Sequence, residues 1–359
     1  MSVPFDEPEH DDGGGRVEEQ FSFTVLGLFG HLDKNLDDPN EEPCMERYRI
    51  QTTDPTSEGF EIVHVQPGKG LMYKKEDGSS EPHPFWHIQE EKRDRDVLFQ
   101  SIENYDSIFR SEEFREYYRK VWEEETSEED LELDESALIL KRALDWPQFG
   151  EQVIVRGVKP QDISIGDVFE AEGSTLRFQV TSPRKPCSEL DDKNEVPYGA
   201  KGIRVYTASK GLAGWFTRVL VAGEISDGMT FVRVSHPHPK WTLANISKAV
   251  YGGEAKLIHL KMVRAGWGRS DADLQELLNM DSLADFEWKD ELRKIDQKRQ
   301  EEEAKEEEET TEDWSYMGLP AACACWLLPS LFSDAPTFNV GRFLPSYLVS
   351  TDCLKNVDC

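Results

Sequence analysis

The sequence predicts a mainly β fold with added helices: a small barrel, then a compact helical segment, with acidic tails on either side. Three observations carry this. Short runs that alternate apolar and polar residues recur between 150 and 235, with glycine in each gap. After Pro239 the apolar spacing changes from two residues to three or four. The ends are polar, which accounts for an apolar fraction of 38% beside a charged fraction of 31%.

The elements follow in chain order. Residues 1–20 are acidic and glycine-rich and read as a disordered leader without the apolar core of a secretory signal. Residues 21–29 form a strand ended by Gly30, and 60–65 a second closed by Pro67 and Gly68. Within 112–124, Phe114, Tyr117, Tyr118 and Val121 make one helical stripe, and 126–135 is an exposed acidic connection. Gly166 and Asp167 open a hairpin of strands 168–171 and 175–180, joined by Glu172, Gly173 and Ser174. Leu176, Phe178 and Val180 alternate with Arg177 and Gln179, as a half-buried strand requires. Residues 203–206, 215–221 and 229–234 continue in the same style as strands. Beyond Pro239, Trp241, Leu243, Ile246 and Val250 form a first helical stripe; Leu257, Leu260 and Val263 a second; Leu274, Leu277 and Leu278 a third, entered through Ser270 with Asp273 three residues on. Helices this short bury a face only against each other or the barrel. Phe286, Leu292 and Ile295 lead into an acidic helix over 298–313, and 310–359 is an irregular appendage. The domain boundaries expected are therefore 21–235 for the barrel, 236–297 for three helices and 298–359 for the tail.

Charge and cysteine usage narrow the function. A net charge of −30 repels phosphate, which argues against nucleic acid and anionic membrane as partners. Lys201, Lys210 and Arg204 nonetheless gather near Arg184, Lys185 and Arg218, so a locally basic pocket for a small anion is allowed. The apolar run within 317–332 is too short to span a membrane and is broken by Pro320 and Pro329. Cys44, Cys187, Cys323, Cys325, Cys353 and Cys359 form no regular framework, which fits a soluble protein of the reducing cytoplasm. The four tail cysteines match no standard zinc spacing. There is no glycine-rich dinucleotide fingerprint, haem motif or iron–sulfur set.

One loop stands out: Ser182, Pro183, Arg184, Lys185, Pro186 and Cys187. The prolines stiffen it, and its cations favour a thiolate at Cys187, a good ligand for a soft metal centre. Residue types alone leave Cys187 open between a ligand and a buried free thiol. Arg184 suits an oxyanion or a phosphate through its planar fork, or solvates the loop. Arg218 points either to the barrel mouth or to water. Gly214 serves a tight backbone turn, Trp215 the core, and Asp167 a turn cap.

Five stretches in register resemble the MOSC domain, named for the C-terminal domain of molybdenum cofactor sulfurases. Phe149, Gly150 and Glu151 are similar to its phenylalanine-glycine-glutamate opening, followed by Gly157 and by Ile165, Gly166 and Asp167. Pro183 to Cys187 resembles its proline-arginine-x-proline-cysteine signature. Gly214, Trp215, Arg218 and Val219 resemble its glycine-aromatic-x-arginine-valine strand, with Gly223 and Glu224 behind it. Pro237, Pro239, Trp241 and Thr242 resemble the entry to the three-helix domain of the YiiM-like branch. With a weaker match at 25–29, the resemblance covers about 21–297. It departs at 89–95, where the family's histidine and two glycines are replaced, although Asp94 and Arg95 fit; His83 or His87 could stand in for the histidine.

The resemblance implies a MOSC β-barrel, similar to the barrel of pyruvate kinase, holding molybdenum cofactor (molybdopterin). It makes Cys187 the metal ligand, Arg184 a catalytic and cofactor-binding residue, and Arg95, Gly214 and Arg218 cofactor-binding. The activity implied is reduction of N-hydroxylated compounds, such as N-hydroxylated base analogues, with electrons from a separate reductase; a homodimer is compatible with it. A non-catalytic carrier of cofactor or sulfur on Cys187 is the alternative, and a pyridoxal phosphate domain is absent from the sequence.

Overall fold

The computed structural model describes residues 21–31, 47–53, 56, 62–74, 79–82, 94–112, 114–115, 132–145, 147–186, 190–191, 202–251, 256–258, 261–263 and 271–316. All six cysteines, His83, His87, the leader, Lys201, Ser270 and the tail beyond 316 lie outside the described residues, as does the stripe at 117–121.

Seven strands close a barrel. They are β1 (Ser22–His31), β6 (Val97–Ser101), β7 (Val153–Arg156), β8 (Val168–Ala171), β9 (Arg177–Pro183), β10 (Trp215–Val221) and β12 (Thr230–Ser235). The order β12-β8-β9-β10-β6-β7-β1 is completed by β1 pairing back to β12, Phe23 opposite Phe231. Closure leaves no open edge in the ring, which removes unpaired backbone groups. The β6–β7 pair is parallel; the others are antiparallel. β2 (Arg47–Ile50) extends β1 outside the ring, and a second sheet joins β3 (Val63–Gln66), β4 (Gly70–Lys74), β5 (Ser80–Pro82) and β11 (Gly223–Ile225).

Inward residues fill the barrel with aromatic rings. Phe23 stacks on Phe231 at 5.6 Å, Phe99 on Trp215 at 5.7 Å, and Phe178 meets Phe99 edge-on at 5.2 Å. The alternation read at 176–180 is the observed one, with Leu176, Phe178 and Val180 buried. A second apolar cluster lies outside the ring, where α1 (Ile102–Phe109) and α2 (Glu135–Asp145) pack through Tyr105, Phe109, Ile139 and Ala143. The phenylalanine-glycine-glutamate opening has a structural task there. Buried Glu151 accepts hydrogen bonds from the Tyr105 hydroxyl and the Phe149 N–H, and the same hydroxyl accepts from the Gln148 N–H at 2.8 Å.

Several elements differ from the sequence reading. Residues 203–206, expected as a strand, begin α3 (Ile203–Lys210). β-branched Ile203 and Val205 favour strand only weakly, and the surroundings decide otherwise. Asp191 accepts from the Arg204 N–H at 2.9 Å, satisfying a free helix N-terminus, and Gly211 ends the helix with φ of 72°. Residues 257–263, expected as the second helix, are a hairpin of β13 (Lys256–Ile258) and β14 (Lys261–Val263). α2 was unforeseen. The first and third helices are as expected, α4 (Leu243–Tyr251) and α5 (Asp271–Leu278). A π-helical turn at Asp285–Lys289 then leads into α6 (Asp290–Tyr316), which runs past the expected end of the acidic helix. Trp241, Leu243, Ile246, Leu274, Leu277 and Trp288 share one core with the barrel.

Candidate functional site

The exit of β9 is built by β10, β6 and the turn before α6. Ser182 and Phe216 are register partners, as are Pro183 and Trp215. Cross-strand partners share a face. Trp215 belongs to the barrel core, whereas Phe216 packs with its β6 partner Leu98 in a separate cluster on the outside of the ring. The Arg95 guanidinium lies over the Phe216 ring, 4.8 Å from its centre. One rung further on, the Arg184 N–H donates to the Gly214 carbonyl at 2.9 Å. Arg95 and Arg184 are 1% and 5% exposed, so two guanidiniums are buried around one end of this ladder. Ser182 is fully buried between their levels, and among the described residues its hydroxyl has no hydrogen-bond partner.

Gly214 is required by backbone geometry. Its φ is 89°, and a Cβ there would lie 2.3 Å from the Phe99 carbonyl oxygen. It brings β10 against β6 so that Arg184 can close the ladder. This is the tight-turn role expected.

The loop beyond Pro183 is gripped from the C-terminal side. Trp288, 2% exposed, donates its indole N–H to the Pro183 carbonyl at 2.8 Å. The Ala284 N–H donates to the Thr181 carbonyl at 3.0 Å, and Lys185 pairs with Glu291 at 3.2 Å. These contacts hold the loop as far as Pro186.

Arg218 sits two positions after Phe216 and is half-buried and already matched. It pairs with Asp94 at 3.1 Å and donates to the carbonyls of Asp281 and Ser282 at 3.2 and 3.4 Å. Lys210 lies over the Tyr206 ring at 4.0 Å, away from any anion role in these contacts. Asp167 caps its turn as expected, accepting from the Ser164 N–H at 3.0 Å. It also meets His236 Nδ1 at 2.7 Å and Arg233 at 3.4 Å. Burial raises the Asp167 carboxyl pKa, against the pull of these partners.

A cavity of about 590 Å³ adjoins Arg218, lined by Pro67, Gly68, Lys69, Asp94, Asp96, Arg218 and Val219. Asp96 is 2% exposed and accepts from the Val219 N–H at 2.7 Å. Burial lifts its carboxyl to about 6, backbone hydrogen bonds from Val219 and Gly68 oppose this, and the nearby Asp94 charge adds to it. The sequence reading gave no role to Asp96, Ser182 or Trp288. For Asp96 the acid–cation–acid run Asp94, Arg95, Asp96 was the visible signal. Among the described residues no group of three or more histidine, cysteine or carboxylate side chains could hold a metal by itself.

Comparison with known proteins agrees with this architecture. Residues 116–232 match the MOSC domain family. That stretch supplies β7 to β10 and β12, while β1 and β6 come from upstream of it. A protein of Gibberella moniliformis (strain M3125 / FGSC 7600) named "Reductase" is 30% identical over 106 residues, which are 30% of this chain and 18% of that protein. The uncharacterized protein YflK of Bacillus subtilis (strain 168) is 35% identical over 89 residues, 25% of this chain and 38% of YflK. The chain thus spans well under half the length of either relative. Among solved structures, a hypothetical protein gives a TM-score of 0.47 at 16% identity, over 79% of this chain and 92% of its own. YiiM from Escherichia coli gives 0.44 at 15% identity, over 77% and 93%. The family match thus falls on five of the seven barrel strands and on the signature loop at the β9 exit, and residues 116–232 of this chain are similar to the MOSC domain.

Proposed function

We propose that the β9 exit holds a molybdenum cofactor, with Cys187 as a thiolate ligand, and that the protein reduces N-hydroxylated compounds with electrons from a separate reductase. The observation that carries this is the buried set Arg95, Ser182 and Arg184, immediately ahead of Cys187. An unpartnered buried hydroxyl at Ser182 is costly, and planar guanidinium groups suit oxyanions. An anionic, phosphate-bearing pterin offers acceptors to all three. The residues present therefore fit the group.

Each residue has a task in this reading. Arg184 and Arg95 would hold the anionic parts of the cofactor, and Ser182 would donate or accept one further hydrogen bond. Trp288 and Glu291 fix the loop through Pro183 and Lys185, which limits the entropy lost when Cys187 takes up its ligand position. When bound, the molybdenum centre would supply the two electrons with which an N–O bond is reduced. The curated relative named as a reductase supports the reaction class, over the segment it shares.

The test uses full-length protein from a cofactor-competent host. Wild type should carry close to stoichiometric molybdenum and reduce a hydroxylaminopurine with an artificial electron donor; Cys187→Ala should lose turnover and most of the metal. Metal without turnover in the wild type would instead support the carrier. Absence of metal from wild type would sink the cofactor reading altogether.

A further inference from the structure

The outer face of β10 carries more than the cofactor cradle. Phe216 and Arg218 are two positions apart on a strand whose alternate residues share a face, so they lie roughly 7 Å apart on the same side. Arg95 covers the first, and Asp94 pairs with the second. The cavity beside Arg218 therefore lies one step along the same face of β10 from Phe216, over which the Arg95 guanidinium sits. Its volume falls within the range of small-molecule pockets.

The lining is chemically mixed. Asp94 and Asp96 offer carboxyl oxygens, Lys69 stands at the exposed rim, and among the described residues the buried Arg218 Nε has no partner. Two backbone N–H groups approach Asp96, and a carboxyl has about four lone-pair positions, so it retains capacity for a ligand. Donors next to acceptors suit a neutral planar edge that both gives and takes hydrogen bonds, as an N-hydroxyamidine does. A purely anionic ligand would meet Asp94, and a purely cationic one Lys69 and Arg218.

Building on the proposed function, we infer that this cavity is the substrate pocket, that Asp94 and Arg218 orient the N-hydroxylated edge, and that Asp96 donates a proton to its leaving oxygen. The reaction balances as R₂N–OH with two electrons and two protons giving R₂N–H and water. The N–O bond breaks, the oxygen takes the Asp96 proton and leaves as water, and the nitrogen takes the second proton from solvent. The separate reductase supplies both electrons. Asp96, lifted to about 6 by burial, holds its proton in part near neutrality. The other ionisable groups lining the cavity are Lys69, Asp94 and Arg218.

The test is titration of full-length wild type and Asp96→Asn with benzamidoxime by calorimetry, between pH 5.5 and 7.5. Only the acid form of Asp96 donates, so wild-type affinity should fall by about tenfold over this range and that of Asp96→Asn should stay level. In molybdenum-loaded protein, Asp96→Asn should lower kcat by about a hundredfold with metal content unchanged. Lys69→Trp, at the exposed rim, should weaken benzamidoxime binding about tenfold without changing metal content, and covers the case in which Asp96→Asn fails to fold. A pH dependence identical in wild type and Asp96→Asn, or loaded Lys69→Trp binding as wild type does, overturns the assignment. If the wild type lacks metal yet shows the Asp96-dependent binding, the pocket stands and the molybdenum reading falls.

Discussion

At the scale of single residues, the geometry at Gly214 is the most constrained of the site. A Cβ at this position meets the Phe99 carbonyl at 2.3 Å with φ at 89°, so neither the space nor the dihedral admits a side chain. Gly214→Ala should destabilise the protein by about 3 kcal/mol or more, read as a lowered denaturation midpoint, because β10 must part from β6. The glycine was legible in the sequence as a turn, but its reason was not. The close approach joins residues more than a hundred positions apart in the chain. Arg184 was legible in the same way, by its place in a signature. Ser182 and Asp96 were not, since serine and aspartate are ordinarily exposed, and only packing makes theirs buried.

At the scale of elements, the turn at Asp285–Lys289 holds the loop that carries the signature. Trp288→Phe keeps the ring but removes the N–H that satisfies the buried Pro183 carbonyl. It should cost about 2 kcal/mol in unfolding experiments. In the native state Cys187 should react faster with iodoacetamide, as the loop gains freedom. A tryptophan that merely filled the core would lower stability without changing thiol reactivity at equal folded population. The same scale shows where local pattern fails. Residues 203–206 read as strand but form α3, because Asp191, from outside the run, accepts from the Arg204 N–H at its start and Gly211 closes it. Residues 257–263 read as helix but pair as a hairpin. Both runs are short, and short apolar runs satisfy either period.

For the whole molecule, three carboxyls, two buried and one half-buried, face the same way in pH. Asp96, Asp167 and Asp227 are all raised, chiefly by burial, with Asp96 at about 6. A raised carboxyl binds its proton more tightly when folded than when unfolded, so it stabilises the fold as pH falls from its folded value toward the unfolded one near 4. The melting temperature should therefore rise as pH is lowered from 7.5 toward 5, before charge repulsion at lower pH intervenes. Asp96→Asn should flatten part of that rise; the Asp96 contribution is at most about 3 kcal/mol. Glu276, lowered by its bond to Lys240, acts in the opposite sense from an exposed position and is screened.

The sequence by itself determined five of the seven barrel strands, the change to helices after Pro239 and the signature loop, because alternation, glycine turns and motif order are local properties of the chain. Only the tertiary structure decided that β1 closes on β12 and that Arg95, from a stretch where the family pattern breaks, comes over Phe216, two positions along β10 from the Gly214 carbonyl that receives Arg184. It also decided that Trp288 grips the loop from a hundred residues away and that Asp94, Asp96 and Arg218 meet around one cavity. These are contacts between distant segments, fixed by barrel closure and by the desolvation that closure imposes. No local pattern carries them.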